Sequence, residues 1–264
     1  MSRPTSMLRL VEVFREVRRT LTDDGTLWLN IGDSYSNAGG KAQPHRNNHG
    51  GFGGSDGKRT QDYAKASGGF VRTQLLGGHI KPKDLIGIPW LLAFALRADG
   101  WYLRQDIIWS KPNPMPESVT DRCGKAHEYL FLLSKSEHYY FDYEAIKEPA
   151  VSVGRAPGGN RKLDASRCDH GRDMTIPTGE TRRRRSVWTI APKPFKGAHF
   201  AVYPPELIEP CVLAGCIEGG LVLDPFGGSG TTGGIALKHG RNAILCELNA
   251  DYAALMPARI ESIG

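Results

Sequence analysis

Residues 222–232 read VLDPFGGSGTT, and no other stretch restricts the fold as tightly. An apolar strand runs into Asp224, then into a turn holding Gly227, Gly228 and Gly230, then into Thr231 and Thr232 at the start of a helix. Glycines let a backbone turn sharply and approach a ligand closely. The first N–H groups of the helix favour an electron-rich group. The next apolar strand, NAILCEL, ends at Glu247, 23 residues after Asp224. An acid about 20 residues beyond a glycine turn commonly takes the hydroxyls of a ribose. The unit is therefore strand, glycine loop, helix, strand, acid, which requires a layered α/β fold. There is no G-x-x-x-x-G-K-[ST], and the turn opens with Asp-Pro-Phe rather than G-x-G-x-x-G. An acid at the strand tip repels a pyrophosphate and suits a cationic cofactor such as S-adenosylmethionine.

The unit lies near the end of 264 residues, so the earlier chain must supply the rest of the layers. LRLVEVFREVRRTL (8–21) spaces Leu10, Val13, Phe14, Val17 and Leu21 for a helix, closed by Asp23-Asp24-Gly25. TLWLNIG (26–32) predicts a buried strand. Residues 36–79 are rich in Gly, Asn, Ser and Lys and predict a mobile loop. A helix is expected after Pro89 up to Gly100, strands over 101–111 and 128–136, and a proline-stiffened loop over 109–116, WSKPNPMP. Prolines open a helix in PPELIEPCVLAGC (204–216), and NADYAALMPARIES predicts one last helix. Five cysteines without a CxxC pair fit a reducing cytoplasm rather than a disulfide scaffold or zinc site. No apolar run reaches the ~18 residues of a membrane span.

The net charge is +6, and it is unevenly placed. Residues 151–198 hold eleven Lys or Arg against four Asp or Glu, peaking at Arg182-Arg183-Arg184-Arg185. Such a run serves either as a solvated linker or as a nucleic-acid contact, and the concentration of the basic excess favours contact. Three regions are expected: 1–150, a basic loop-rich insert at 151–198 that stays clear of the core, and a cofactor-binding half at 199–264.

DPFGGSGTT with CELNADY resembles the DNA amino-methyltransferases, which methylate N6 of adenine or N4 of cytosine. HFAVYPPELIEPCVLAGC (199–216), DGWYLRQDIIWSKPNPMPESVTDR, KAHEYLFLLSKSEHYYFD and DDGTLWLNIGDSY resemble further blocks of that family. They follow in the permuted order that places the catalytic half before the cofactor half. The resemblance covers residues 8–145 and 196–258. It implies an α/β, S-adenosylmethionine-methyltransferase (Rossmann-like) fold with a mostly parallel sheet. It implies that Asp224, Phe226, Gly227, Gly228, Ser229, Gly230, Thr231 and Thr232 hold the methionine part of S-adenosylmethionine, with Phe200, Tyr203 and Pro204 lining that end. Glu247, with Asn249 beside it, would hold the ribose. Residues 1–150 would be the catalytic half, and 151–198 would be the target-recognition region for double-stranded DNA. Lys111, Asn113 and Arg182 to Arg185 would be its DNA contacts, and the target base would be flipped out of the duplex. The middle blocks lean towards N4 of cytosine.

The family's catalytic signature is Asp, Ser or Asn followed by Pro-Pro and an aromatic residue, and residues 1–264 do not contain it. Tyr203-Pro204-Pro205-Glu206 has the prolines but the wrong neighbours. The fold is therefore expected to be incomplete at its N-terminal strands. Either another polypeptide segment supplies them, or the chain is a non-catalytic DNA-binding remnant or subunit.

Overall fold

The computed structural model describes residues 6–36, 80–150, 180–193 and 202–263. Helix α1 (Ser6–Thr20) puts Val11, Phe14 and Val17 on one buried face. The chain turns at Gly25 into β1 (Thr26–Ile31). Helix α2 (Ile88–Ala98) begins at Pro89, where a missing N–H costs nothing, and leads into β2 (Tyr102–Ser110). Strand β3 (His127–Ser134) is buried without a break from Leu130 to Ser134. It pairs antiparallel with β1, Thr26 facing Ser134, and with β2, where the register slips between Leu103 and Gln105.

Two short strands, β4 (Glu148–Pro149) and β5 (Thr181–Arg182), pair with each other. Strand β6 (Val187–Thr189) then joins the main sheet parallel to β2. The main sheet has the order β1-β3-β2-β6. Helix α3 (Pro205–Gly215), β7 (Leu221–Asp224), helix α4 (Thr231–Lys238) and β8 (Asn242–Leu245) follow. Strands β7 and β8 pair parallel as a sheet of their own. The final helix expected from the sequence is two, α5 (Ala250–Ala253) and α6 (Met256–Ile263). Pro257 explains the division, because its ring clashes with the carbonyl four residues earlier.

Helices α1 and α2 cover one face of the main sheet, in a core with Phe14, Leu92, Leu96, Trp101, Phe131 and Leu133. Helix α3 covers the other, where Leu207 and Cys211 meet Ile107, Trp109, Leu130 and Trp188. The expected Rossmann-like α/β fold holds, with a mixed sheet because β3 runs against both neighbours. One expectation needs correction. Residues 180–190 do not stay clear of the core, since Trp188 on β6 is buried between Trp28 and the α3 face. The single large apolar residue of Val-Trp-Thr is too short a pattern to stand out beside four arginines. The remaining 151–179 and 194–198, and the loop at 37–79, lie outside the described residues. No helix among the described residues is long and apolar enough to cross a membrane.

Candidate active site

The carboxylate of Asp224, at the end of β7, is the node of the glycine loop. Its Oδ1 accepts from the Phe226 N–H at 3.0 Å, which sets the turn. Its Oδ2 accepts from the Thr232 hydroxyl at 2.6 Å and the Tyr203 hydroxyl at 3.1 Å. The two hydroxyls are themselves 2.6 Å apart. Three elements thus converge, Tyr203 from the entrance of α3, Asp224 from β7 and Thr232 from the first turn of α4. Burial, with the Asp224 charge beside it, pushes the Tyr203 phenol well above its ordinary range.

Glu247, just past β8, closes the other side. Its Oε2 accepts from Gly228 N–H at 3.0 Å and its Oε1 from Asn249 N–H at 2.8 Å. Asn249 caps α5 through its side chain, which accepts from Asp251 N–H at 2.9 Å. The two acids therefore shape the loop before they touch any ligand, while each keeps lone pairs for one.

The glycines serve a purpose the sequence reading did not assign. Gly228 and Gly230 have φ of 52° and 91°, as a tight turn demands. At Gly227, Gly233 and Gly234, however, an added Cβ would meet Leu245, Leu245 and Ile263 within 2.9 Å. These three are small so that α4 can seat against β8 and α6, not so that a ligand can approach. Ser229 and Thr231 are buried, and the Thr231 hydroxyl has no partner. That orphaned hydroxyl, the free N-terminal N–H groups of α4 and the paired acids fit a ligand with both cationic and hydroxyl groups. Phe226, expected from the sequence, is well exposed, and so is Leu248 next to Glu247, which was not expected because a lone apolar residue beside a motif carries no sequence signal. Pro204 is buried at the start of α3, and Phe200 lies outside the described residues.

The carboxyl ends of β7 and β1 point the same way. Helix α3 starts beside Asp224 through Tyr203 and ends at Gly215, whose added Cβ would lie 2.6 Å from Thr26 at the start of β1. Strand β2 is parallel to β1, so Lys111 and Asn113 leave the sheet on this same face. There Lys111 is already engaged. Its ammonium pairs with Glu128 and lies 4.2 Å over the Trp109 ring. Asn113 is exposed.

The arginine run is likewise occupied. Arg182 and Arg185 share one oxygen of Glu148 at 2.8 and 2.7 Å. Arg183 lies 4.8 Å over Tyr143 and Arg184 4.5 Å over Trp188. Arg184 is half-buried with its Nε unpartnered, and burial lowers its pKa. Glu148 and Tyr143, distant in sequence, and the nearby Trp188 organise the run.

Among the described residues no strand joins β7 to β1. Each strand is the edge of its own sheet, yet Leu223 packs against the α1 core and Phe226 sits 6.1 Å from Phe14, edge to face.

The comparisons with known proteins agree. A family model described as DNA methylase (N6/N4) matches residues 5–257. The type II methyltransferase M.SmaI of Serratia marcescens is 47% identical over 251 residues, 95% of this chain and 72% of that protein. M.XycI of Xanthomonas campestris pv. cyanopsidis is 45% identical over 98% of this chain and 72% of its own length. Among solved structures, the cytosine-N4-specific PvuII DNA methyltransferase has a TM-score of 0.58 at 18% identity, covering 98% of this chain and 76% of that one. The M1.HpyAVI–SAM complex has 0.54 at 16%, covering 98% and 85%. The chain belongs to the N6/N4 DNA methylase family, the S-adenosylmethionine-dependent methyltransferases that act on an exocyclic amino group of cytosine or adenine in DNA.

Proposed function

We propose that this chain is the cofactor-holding and DNA-contacting part of a type II modification methyltransferase that works in the cytoplasm and methylates N4 of cytosine. The observation that carries the reading is the Tyr203–Asp224–Thr232 node facing Glu247 across the glycine loop. S-adenosylmethionine supplies the methyl group. Asp224 and the α4 N-terminus would hold its methionine part, Glu247 its ribose, and Phe226 and Leu248 the faces of its flat ring. Pro204 and the ring of Tyr203 wall the methionine end. Arg183 and Arg185, the exposed members of the run, would meet DNA phosphates, while Arg182 and Arg184 hold their shape. The region 151–198 would carry target recognition.

Residues 1–264 contain no Asp/Ser/Asn-Pro-Pro-aromatic run. We infer that a segment outside them presents that motif, seated between β7 and β1. Each of those strands has one edge free of strand partners among the described residues. Such edges are templates for strand addition. The absent motif equally favours a second reading, a DNA-binding subunit or remnant that binds the cofactor without transferring it.

The test is labelled methyl transfer from S-adenosylmethionine to unmodified bacterial DNA, with nucleoside mass spectrometry, alongside calorimetry of cofactor binding. N4-methylcytosine supports the first reading, and N6-methyladenine corrects the target base. Cofactor binding without any methylated nucleoside leaves the second. Asp224→Ala should weaken cofactor binding by at least about thirtyfold, as expected for losing a charged hydrogen-bonding node worth about 2 kcal/mol. Unchanged binding would remove the node from the site.

A further inference from the structure

Helix α3 spans 11 residues, so its two ends lie about 16 Å apart. Its entrance holds Tyr203 of the cofactor node. At its exit, Asp142 N–H donates to Ala214 O at 2.9 Å and brings the segment 141–146 alongside. Against that segment opens a cleft of about 390 Å³, lined by Gln105, Phe141, Tyr143, Ile146, Arg183 and Arg184. Its size is that of a small-molecule pocket. Gln105 sits in the first half of β2, whereas Lys111 follows the strand's end. The cleft is therefore remote from both the glycine loop and the face where β1 and β2 end.

Its charge is one-sided. Arg183 and Arg184 bring two guanidiniums, and no lining residue is acidic. The acids nearby are engaged elsewhere. Glu148 takes Arg182 and Arg185, and Glu144 pairs with Lys147 at 2.5 Å. Asp142 Oδ1 accepts from Glu144 and Ala145 N–H at 3.0 and 3.1 Å. Arg184 is half-buried, its Nε has no partner among the described residues, and burial lowers its pKa. A buried cation without a counter-ion is costly, and an anion in the cleft would relieve that cost. The apolar walls are fixed as well. Ile146 is buried, Phe141 stacks on Trp28 at 6.1 Å, and Tyr143 lies under Arg183.

We propose that this cleft binds a free nucleoside monophosphate, with its phosphate on Arg183 and Arg184 and its ring against Phe141, Tyr143 and Gln105. Guanidiniums meet phosphate oxygens through paired N–H donors. Aromatic side chains receive any flat base by its face. The Gln105 amide carries both donors and an acceptor for the ring's edge. A duplex backbone fits less well, because it offers its phosphates on a convex rod. Arg184 is drawn in over Trp188, 4.5 Å from a ring that is itself buried. The site is thus a second one, independent of methyl transfer.

The experiment is calorimetry of the full 264-residue chain with cytidine 5′-monophosphate, run with and without excess S-adenosylhomocysteine. One nucleotide should bind per chain, equally in both runs. Cytidine and inorganic phosphate should each bind at least about tenfold more weakly, since each meets only half of the cleft. Arg184→Met should weaken nucleotide binding about tenfold while leaving the affinity for a short duplex within about twofold. Tyr143→Ala, at an exposed side chain that should not disturb folding, should weaken it about fivefold. Circular dichroism checks that both variants fold. A parent chain that does not bind the nucleotide, or folded variants that bind it as well as the parent, overturn the site. Displacement by S-adenosylhomocysteine overturns it too, by placing the nucleotide in the glycine loop. An equal loss of duplex and nucleotide affinity in Arg184→Met would assign the guanidinium to the DNA surface instead. Cofactor binding is measured separately, so its failure alone breaks the proposed function and leaves the cleft standing.

Discussion

The four-stranded sheet and the β7–β8 pair are built on opposite principles. In the first, β3 has five consecutive buried residues, and large side chains from α1, α2 and α3 fill both faces. In the second, β8 and the residues that follow it alternate, with Asn242, Ile244, Cys246 and Leu248 exposed in turn, and helix contact depends on the absence of side chains at Gly227, Gly233 and Gly234. The first region draws stability from apolar area, the second from close backbone approach. A site that must admit a cofactor benefits from the second arrangement, because its shape is set by hydrogen bonds rather than by filled volume.

Substitutions can break that contrast. The largest effect should come from Phe131→Ala, which empties a fully buried site in β3 and should cost about 3–5 kcal/mol in urea unfolding. A loss below 1 kcal/mol would mean that the sheet is not the main store of stability. Gly234→Val comes next. Its Cβ would sit 2.9 Å from Ile263, and overpacking costs about 1–3 kcal/mol. It should also weaken cofactor binding, whereas Phe131→Ala should spare binding wherever the chain stays folded. Equal effects on binding from both would erase the distinction between the regions.

Tyr203→Phe sharpens it further. Losing one hydroxyl at the node should cost about 1 kcal/mol, read as a fewfold rise in the cofactor Kd. The Tyr203 phenol is raised, so it stays protonated, and the parent and Tyr203→Phe should show the same pH dependence of cofactor binding between about pH 6 and 9. A step present in the parent and absent from the variant would contradict the buried, protonated Tyr203 hydroxyl.

The smallest effect is at Glu148. Burial raises its pKa, but the hydrogen bonds from Arg185 and Arg182 together prevail, so the net shift is downward. A depressed carboxylate contributes stability above its unfolded pKa of about 4.3 and loses it as pH falls through the folded value. Glu148→Gln should therefore cost little, within about 1 kcal/mol at pH 7, and nothing once the pH lies below the folded pKa. A variant as stable as the parent at pH 7 would make the pair ornamental.

The helices and long strands were legible because their patterns are strong. The amphipathic spacing of α1, Pro89 at the head of α2 and the apolar run of β3 each sit within a few residues of their expected bounds. The strand–glycine–helix–strand unit was legible for the same reason, along with Asp224 and Glu247. What escaped depends on partners remote in sequence. Nothing around Arg182 reveals that Glu148 will claim it. Nothing in Gly233 or Gly234 shows that Leu245 and Ile263 will press on them. Strand β6 was hidden by brevity, and the split of the last helix by a proline that local apolar spacing overrode in the reading.

Tyr203 to Asn249 holds every described residue of the cofactor site within 47 positions of chain. Strand β1, by contrast, must find β3 with Thr26 opposite Ser134. Closing a long loop costs more entropy than closing a short one, and chains rich in local contacts fold faster. The consequence is one of timing: the glycine-loop half should acquire hydrogen-exchange protection before the large sheet does, so that in refolding the cradle precedes the body that supports it.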